Sequence, residues 1–418
     1  MRLVHGFWLS SLILLLLLSG CGPVYRLPQQ ASAAPAVSAP DTSTTPAVPT
    51  GQLDDKLVAM IDSYAEANMK LRKTPGMAVG IVQDGKVVFS KGYGAADVET
   101  GAPVTPQTVF NLGNLSYQFT AVAIMQLVEQ GKIDLDAPFA QYLPGFTMAD
   151  DRYKAITVRQ LLTHMAGLDY AYEADWSLPL EEMWQSFEPA ADEDARARYL
   201  AFLADQRLLD EPPSWLGGDT EYNLLGAVIE AVSGQNFESY MHDHIFAPLG
   251  MNHSSFIPTE LDPALLAQPH VTGLDGQPVR AALYPYHRPW APSSGLVSNV
   301  EDMTRWMIVG ANRGELDGVR ILSPATYDLL WGNEADTGEF RPDGKPLYYG
   351  LGWYVFQNAG KAQVGHPGLN LGFVTDIGYF PDERSGVVVM ANRLDSVFDP
   401  RVSDEVVGQI FGYLGFLR

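Results

Sequence analysis

The stretch Gly113-Asn114-Leu115-Ser116-Tyr117-Gln118-Phe119-Thr120 sets reactive residue types at helical spacing, and those types decide what chemistry is open. Asn114 carries a carboxamide, which makes hydrogen bonds and offers no usable nucleophile. Tyr117 is three residues on and shares its face if the stretch is helical. A phenol titrates near about 10, so at neutral pH it donates a hydrogen bond and is a reluctant base. Ser116 has a hydroxyl, which needs a neighbouring base to become a nucleophile. It points about 200° around a helix from Asn114, and its i+3 neighbour is Phe119, so it reads as a first-turn or packing serine. Nowhere in the chain is a serine followed three residues later by lysine, and no GxSxG elbow occurs.

Further landmarks follow in order. They are Gln126 to Asp136, Leu161-Leu162-Thr163-His164-Met165-Ala166-Gly167-Leu168, Tyr222-Asn223-Leu224-Leu225-Gly226 with Val232-Ser233-Gly234, and Ile245 to Met251. Later come Ser294 to Ser298, Glu301-Asp302-Met303, Tyr349 to Trp353 and Gly365-His366-Pro367-Gly368. Together with the 108–121 phrase they resemble the class C beta-lactamase, D-alanyl-D-alanine carboxypeptidase and esterase family over roughly Leu53 to Arg418. The resemblance implies a serine hydrolase fold in which the nucleophile and lysine base of an SxxK pair stand at Asn114 and Tyr117, with neither reactive group present. It implies a YxN loop just before Tyr222; gap-free counting puts Gly217, Gly218 and Asp219 there, and no tyrosine in the chain is followed two residues later by asparagine. It also implies that His366 and Gly368 form the HxG variant of a KTG strand; the other reading of His366 is a histidine kept by strand packing. An oxyanion hole of this type uses backbone N–H groups, expected at Asn114 and Leu369, whatever the side chains. The degenerate cleft then either keeps affinity for a carbonyl or carboxylate ligand or is filled by Tyr117 and neighbouring aromatics. No cofactor is implied.

The chain begins with Arg2, an apolar run from Phe7 to Leu18, and Leu18-Ser19-Gly20-Cys21, which reads as a secretion signal closing in a bacterial lipobox. The run is too short for an ordinary membrane-spanning helix. Cys21 is the one cysteine in 418 residues, so no disulfide forms within the chain, and its place marks it as a lipidation site. From Ala31 to Thr50, seventeen of twenty residues are Ala, Pro, Ser or Thr, too little apolar surface to offset ordering entropy. The expected organisation is a signal peptide at 1–20, a lipidated cysteine and tether at 21–51, and one beta-lactamase-related domain at 52–418.

Elements must then carry Asn114 and its neighbours. Met77 to Val82 and Val87 to Gly92 flank Asp84-Gly85, a hairpin signal, and Phe373 to Phe380 with Gly386 to Ala391 flank a Pro381-Asp382 turn. Strands at both ends enclose a mainly helical middle. Leu115 to Gln130, apolar nearly all round and followed by Gly131, suits a buried central helix. The fold class is α+β: an antiparallel sheet from N- and C-terminal strands, flanked by helices, with a large helical lobe.

A net charge of −22 argues against nucleic acid, whose phosphates need a basic face. Eleven acidic residues and three arginines between Glu173 and Glu211 make either a solvated surface or a patch that repels anions and docks a basic partner. His242 and His244 are two apart, which points them to different helix faces, and no HExxH occurs, so no metal site is expected. The function expected is an inactive homologue, anchored at the bacterial cell envelope, that binds or scaffolds. Its expected ligand is a peptidoglycan-type peptide or a carboxylate, and its membrane contact is the lipid anchor. The alternative is an active peptidase, esterase or beta-lactamase using a non-standard constellation around His366, Tyr117 and Asp219.

Overall fold

The computed structural model describes residues 45–169, 182–184, 191–340, 344–358, 360–394 and 401–416. The signal, Cys21, the tether as far as residue 44, and residues 173–181 and 185–190 of the Glu173–Glu211 acidic run lie outside these residues.

Eight strands form one antiparallel sheet: β1 Gly76–Gln83, β2 Lys86–Gly94, β3 Ala335–Phe340, β4 Pro346–Tyr349, β5 Tyr354–Asn358, β6 Lys361–Asn370, β7 Phe373–Phe380 and β8 Ser385–Ala391. Their order is β2-β1-β8-β7-β6-β5-β4-β3, so the N-terminal hairpin closes against the last strand with Met77 opposite Ala391. The two ends of the domain therefore meet in mid-sheet, as the expected α+β pattern requires. Asp84 and Gly85 both have positive φ, 52° and 72°, the twist that a two-residue hairpin needs. The second turn is longer than a Pro-Asp pair, running through Pro381–Glu383 to Arg384 at φ 48°.

Strand alternation gives the sheet two apolar faces. Met77, Val79, Ile81, Val387 and Val389 pack with Ile61, Ala65 and Met69 of helix α1 (Asp55–Arg72) and with Val406, Ile410 and Phe411 of the C-terminal helix 401–413. Ala78, Val82, Val388 and Met390 face the helical lobe. There α2 (Ser116–Glu129) is buried on every side from Ser116 to Leu127, which explains why its sequence lacks a polar face. It lies against α3 (Asp219–Ser233) and α4 (Ala291–Ser294). The expected start at Leu115 falls in a 3-10 turn, Gly113–Leu115, that leads into α2 and abuts β6.

Residues 45–51, placed in the tether by composition, lie on the fold. Gly51 N donates to Val87 O at 2.8 Å and Val87 N to Pro49 O at 2.9 Å, adding a short parallel bridge to the outer edge of β2. Arg305 Nη1 donates to Pro46 O at 2.7 Å, and Ala47 N to Asp317 Oδ2 at 2.8 Å. The folded part thus begins before position 52. An edge strand presents unpaired N–H and C=O groups, and this strap satisfies those of Val87.

Candidate functional site

The site forms where the 3-10 turn before α2 meets the end of β6 and the start of α3. Close backbone approach holds it together. A methyl group on Gly368 would lie 1.9 Å from Leu112 O and 2.4 Å from Thr375 Oγ1, so only glycine lets β6 pass there. Gly113 has φ +52°, and a methyl on it would lie 2.5 Å from Leu369 N. The backbones expected to supply the two oxyanion donors are therefore neighbours. Ser116 is fully buried; its Oγ donates to Gly113 O at 2.7 Å and accepts from Leu296 N at 3.0 Å. Its work is to hold the turn.

Asn114, Tyr117 and Asp219 make a closed triangle. Asn114 Nδ2 donates to Tyr117 Oη and to Asp219 Oδ1, both at 3.0 Å. Tyr117 Oη donates to the same Asp219 oxygen at 2.7 Å. Exposure is 6% at Asn114, 3% at Tyr117 and 6% at Asp219, so these bonds replace water. Burial pushes the Asp219 carboxyl up to about 6; hydrogen bonds from Tyr117, Ser293 and Asn114 oppose the rise, and nearby Glu221 adds to it.

Aromatic rings pack around the triangle. Tyr117 stacks on Tyr222 at 4.1 Å between centroids and meets His164 at 5.0 Å and His366 at 5.3 Å. Gly217, at φ +67°, presents no side chain; Trp215 beside it packs on His164 and Tyr349 at 5.4 and 5.1 Å. His366 is tied at both nitrogens. Nδ1 lies 2.6 Å from Pro367 O, and a carbonyl only accepts, so Nδ1 bears the proton and Nε2 accepts from Tyr349 Oη at 3.0 Å. Burial lowers its pKa to about 3, so the ring is neutral and its lone pair is already used. Of the residues singled out in the sequence, the structure thus joins Asn114, Tyr117 and Asp219 by hydrogen bonds. It sets His366 against the Tyr117 ring and brings Gly368 and Leu369 to the turn by backbone contact, while Gly217 makes none of these polar links.

Sequence reasoning missed a buried pair behind the triangle. His164, at φ +57°, lies with Nδ1 2.5 Å from Glu221 Oε2, and Glu221 also accepts from Ala166 N at 3.1 Å and Gly218 N at 3.3 Å. One proton lies between the two side chains. Burial drives the His164 pKa down and the Glu221 pKa up, both toward neutral forms. The available signal was Glu221 three residues after Gly218, the spacing at which an acid reaches back over a helix start. His242 and His244 lie away from this group, with His242 beside Asp243 and His244 on Gln235. No group of three or more metal-ligating side chains occurs among the described residues.

A beta-lactamase-type fold agrees with the comparisons. The family described as "Beta-lactamase" matches residues 61–410, and the chain belongs to that family. It is 29% identical over 349 residues to "Penicillin-binding protein 4" of Amycolatopsis lactamdurans, covering 81% of this chain and 86% of that one. It is 26% identical to "Protein flp" of Staphylococcus aureus (strain MW2) over 358 residues, covering 84% of this chain and 66% of that protein. Among solved structures it is similar to the octameric penicillin-binding protein homologue from Pyrococcus abyssi, with a TM-score of 0.71, 27% identity, and coverage of 86% of this chain and 77% of the other.

Proposed function

We propose that this chain is a catalytically inactive beta-lactamase-family protein, held at the bacterial cell envelope by a lipid on Cys21, which binds or scaffolds rather than turning over substrate. One observation carries this reading: Asn114, Tyr117 and Asp219, all buried, hydrogen-bond one another. Acyl transfer needs a nucleophile beside a base with a free lone pair. Here the carboxamide has no nucleophile, the phenol donates to a carboxylate, and the His366 lone pair is taken by Tyr349. The ligand class proposed is a peptidoglycan-type peptide or another carboxylate. For the anchor, the support is the lipobox-like Leu18-Ser19-Gly20-Cys21. No described helix is long and apolar enough to cross a membrane.

A second reading is an active hydrolase with an unusual constellation, favoured by Tyr117 Oη lying 2.7 Å from a carboxyl whose pKa is near about 6. That pair could pass a proton from phenol to carboxylate, although the His366 lone pair is already taken by Tyr349. Turnover of nitrocefin, p-nitrophenyl acetate and a D-alanyl peptide by the purified protein separates the two. Rates equal to buffer are expected. Turnover that Tyr117→Phe abolishes would establish the second reading.

A further inference from the structure

The triangle can be described from its donors. Asn114 Nδ2 and Tyr117 Oη converge on one oxygen of Asp219 from the turn before α2 and its first residues, at 3.0 and 2.7 Å. The Ser293 hydroxyl of α4 acts on the same carboxyl. Ser293 Oγ donates to Trp290 O at 3.0 Å, which holds the hydroxyl in place beside that carboxyl. Two buried donors and a third hydroxyl thus surround a group carrying one negative charge. The side chains that hydrogen-bond it, Tyr117, Ser293 and Asn114, are all neutral. A monoanion stabilised by neutral donors suits such a place, whereas a dianion would lack compensating charge.

We propose that Asn114, Tyr117 and Ser293 form a carboxylate-binding cradle in which Asp219 sits as an internal ligand, so that an external carboxylate can bind only by taking the place of that side chain. The inference rests on reading the site as non-catalytic, and it names both the ligand class and what blocks it. Asp219 opens α3, so its carboxylate enters the cradle from a different element than the one bearing Asn114 and Tyr117. Asn114 and Asp219 each keep only 6% of their surface exposed, so the cradle is closed to solvent while the Asp219 side chain occupies it. The atoms removed by Asp219→Gly, a CH₂ and a carboxylate, match acetate in size and charge.

The test is thermal stability of full-length wild type, Asp219→Gly and Asp219→Asn, each titrated with sodium acetate, N-acetylalanine, acetamide and sodium chloride. A ligand that binds only the folded state raises the midpoint in a saturable way. Acetate is expected to raise the midpoint of Asp219→Gly and to leave wild type and Asp219→Asn unchanged, with acetamide and chloride inert throughout. In the Asp219→Gly background, Tyr117→Phe should weaken acetate about tenfold by removing one charge-assisted hydrogen bond. Stabilisation by acetate alone assigns the cradle to small free acids, and stabilisation by N-acetylalanine as well extends it to peptide C-termini. If Asp219→Gly does not fold in buffer, recovery on refolding into acetate but not acetamide supports the same cradle. Equal effects of acetate and acetamide, no effect of acetate on a folded Asp219→Gly, or no recovery in either solution would overturn it. Covalent labelling of wild type by penicillin would instead defeat the non-catalytic reading, whatever acetate does.

Discussion

At the residue scale, Asp219 is the group on which the site turns. Burial pushes its carboxyl from the ordinary 3.8 up to about 6. A raised acid pKa means that the native state holds the proton more tightly, so the stability this group supplies is complete below about pH 4 and is lost as pH rises through about 6. A displacement of about two units corresponds to about 3 kcal/mol. Asp219→Asn cannot ionise and keeps an oxygen to accept from Tyr117. Relative to wild type, it should therefore gain up to about 3 kcal/mol between about pH 4 and about pH 7, read by urea unfolding at each pH. His164 and His366, whose depressed pKa values make stability fall as pH drops, are common to both proteins and cancel in the difference. A flat difference across that range would show that Asp219 is not the titrating group.

The same carboxylate governs repair of the site. Restoring the SxxK pair by Asn114→Ser and Tyr117→Lys would set an ammonium where Tyr117 Oη now meets Asp219 at 2.7 Å, and the carboxylate would hold that lysine protonated. The double variant should therefore acylate slowly with a reactive penicillin. Adding Asp219→Asn should speed it on the order of 10²-fold, the size of a general-base contribution. Stopped-flow acylation rates of the two proteins decide it. Equal rates would mean that Asp219 does not control the base.

At the element scale, the site depends on β6 and the turn before α2 touching through backbone. Gly368→Ala would force its methyl to within 1.9 Å of Leu112 O, so the strand or the turn must move. Overpacking of this kind costs about 1–3 kcal/mol or more. Calorimetry should show a lowered melting temperature, together with loss of the Asn114–Asp219 contact in a structure of the variant; an unchanged melting temperature would mean that the contact is loose.

Much of this arrangement was legible in the chain. That Asn114 and Tyr117 are neither serine nor lysine is plain from the sequence. Gap-free counting from Tyr222 put Asp219 in the site, where it meets Asn114 across 105 positions. The helix was legible because an all-apolar run ended by Gly131 has few other solutions. His164–Glu221, 57 positions apart, and the ring contacts of Trp215, Tyr349 and Tyr354 left no periodic trace. They arise only when three separate segments converge on one end of the sheet, and single-residue types do not encode that convergence. Ser293 was missed for the same reason. The strap was missed because composition reports an unfavourable ordering entropy, while Arg305, Asp317 and the β2 edge supply the compensating bonds from far along the chain.

At the scale of the whole molecule, the N-terminal end of the described chain is fastened to the domain at residues 45–51, so any tether to a membrane acts from that point. Metabolic labelling with a fatty-acid analogue should mark the protein, and Cys21→Ser should abolish the label; persistence of label in the variant would remove the anchor from the account. The central claim is that the family's reactive centre has become a self-satisfied polar knot. Intact-mass spectrometry after prolonged incubation with benzylpenicillin and, separately, a fluorophosphonate reads this directly. The account predicts the unmodified mass in both cases. A stoichiometric adduct mapped to Tyr117, Ser116 or any other residue lining the site would contradict it.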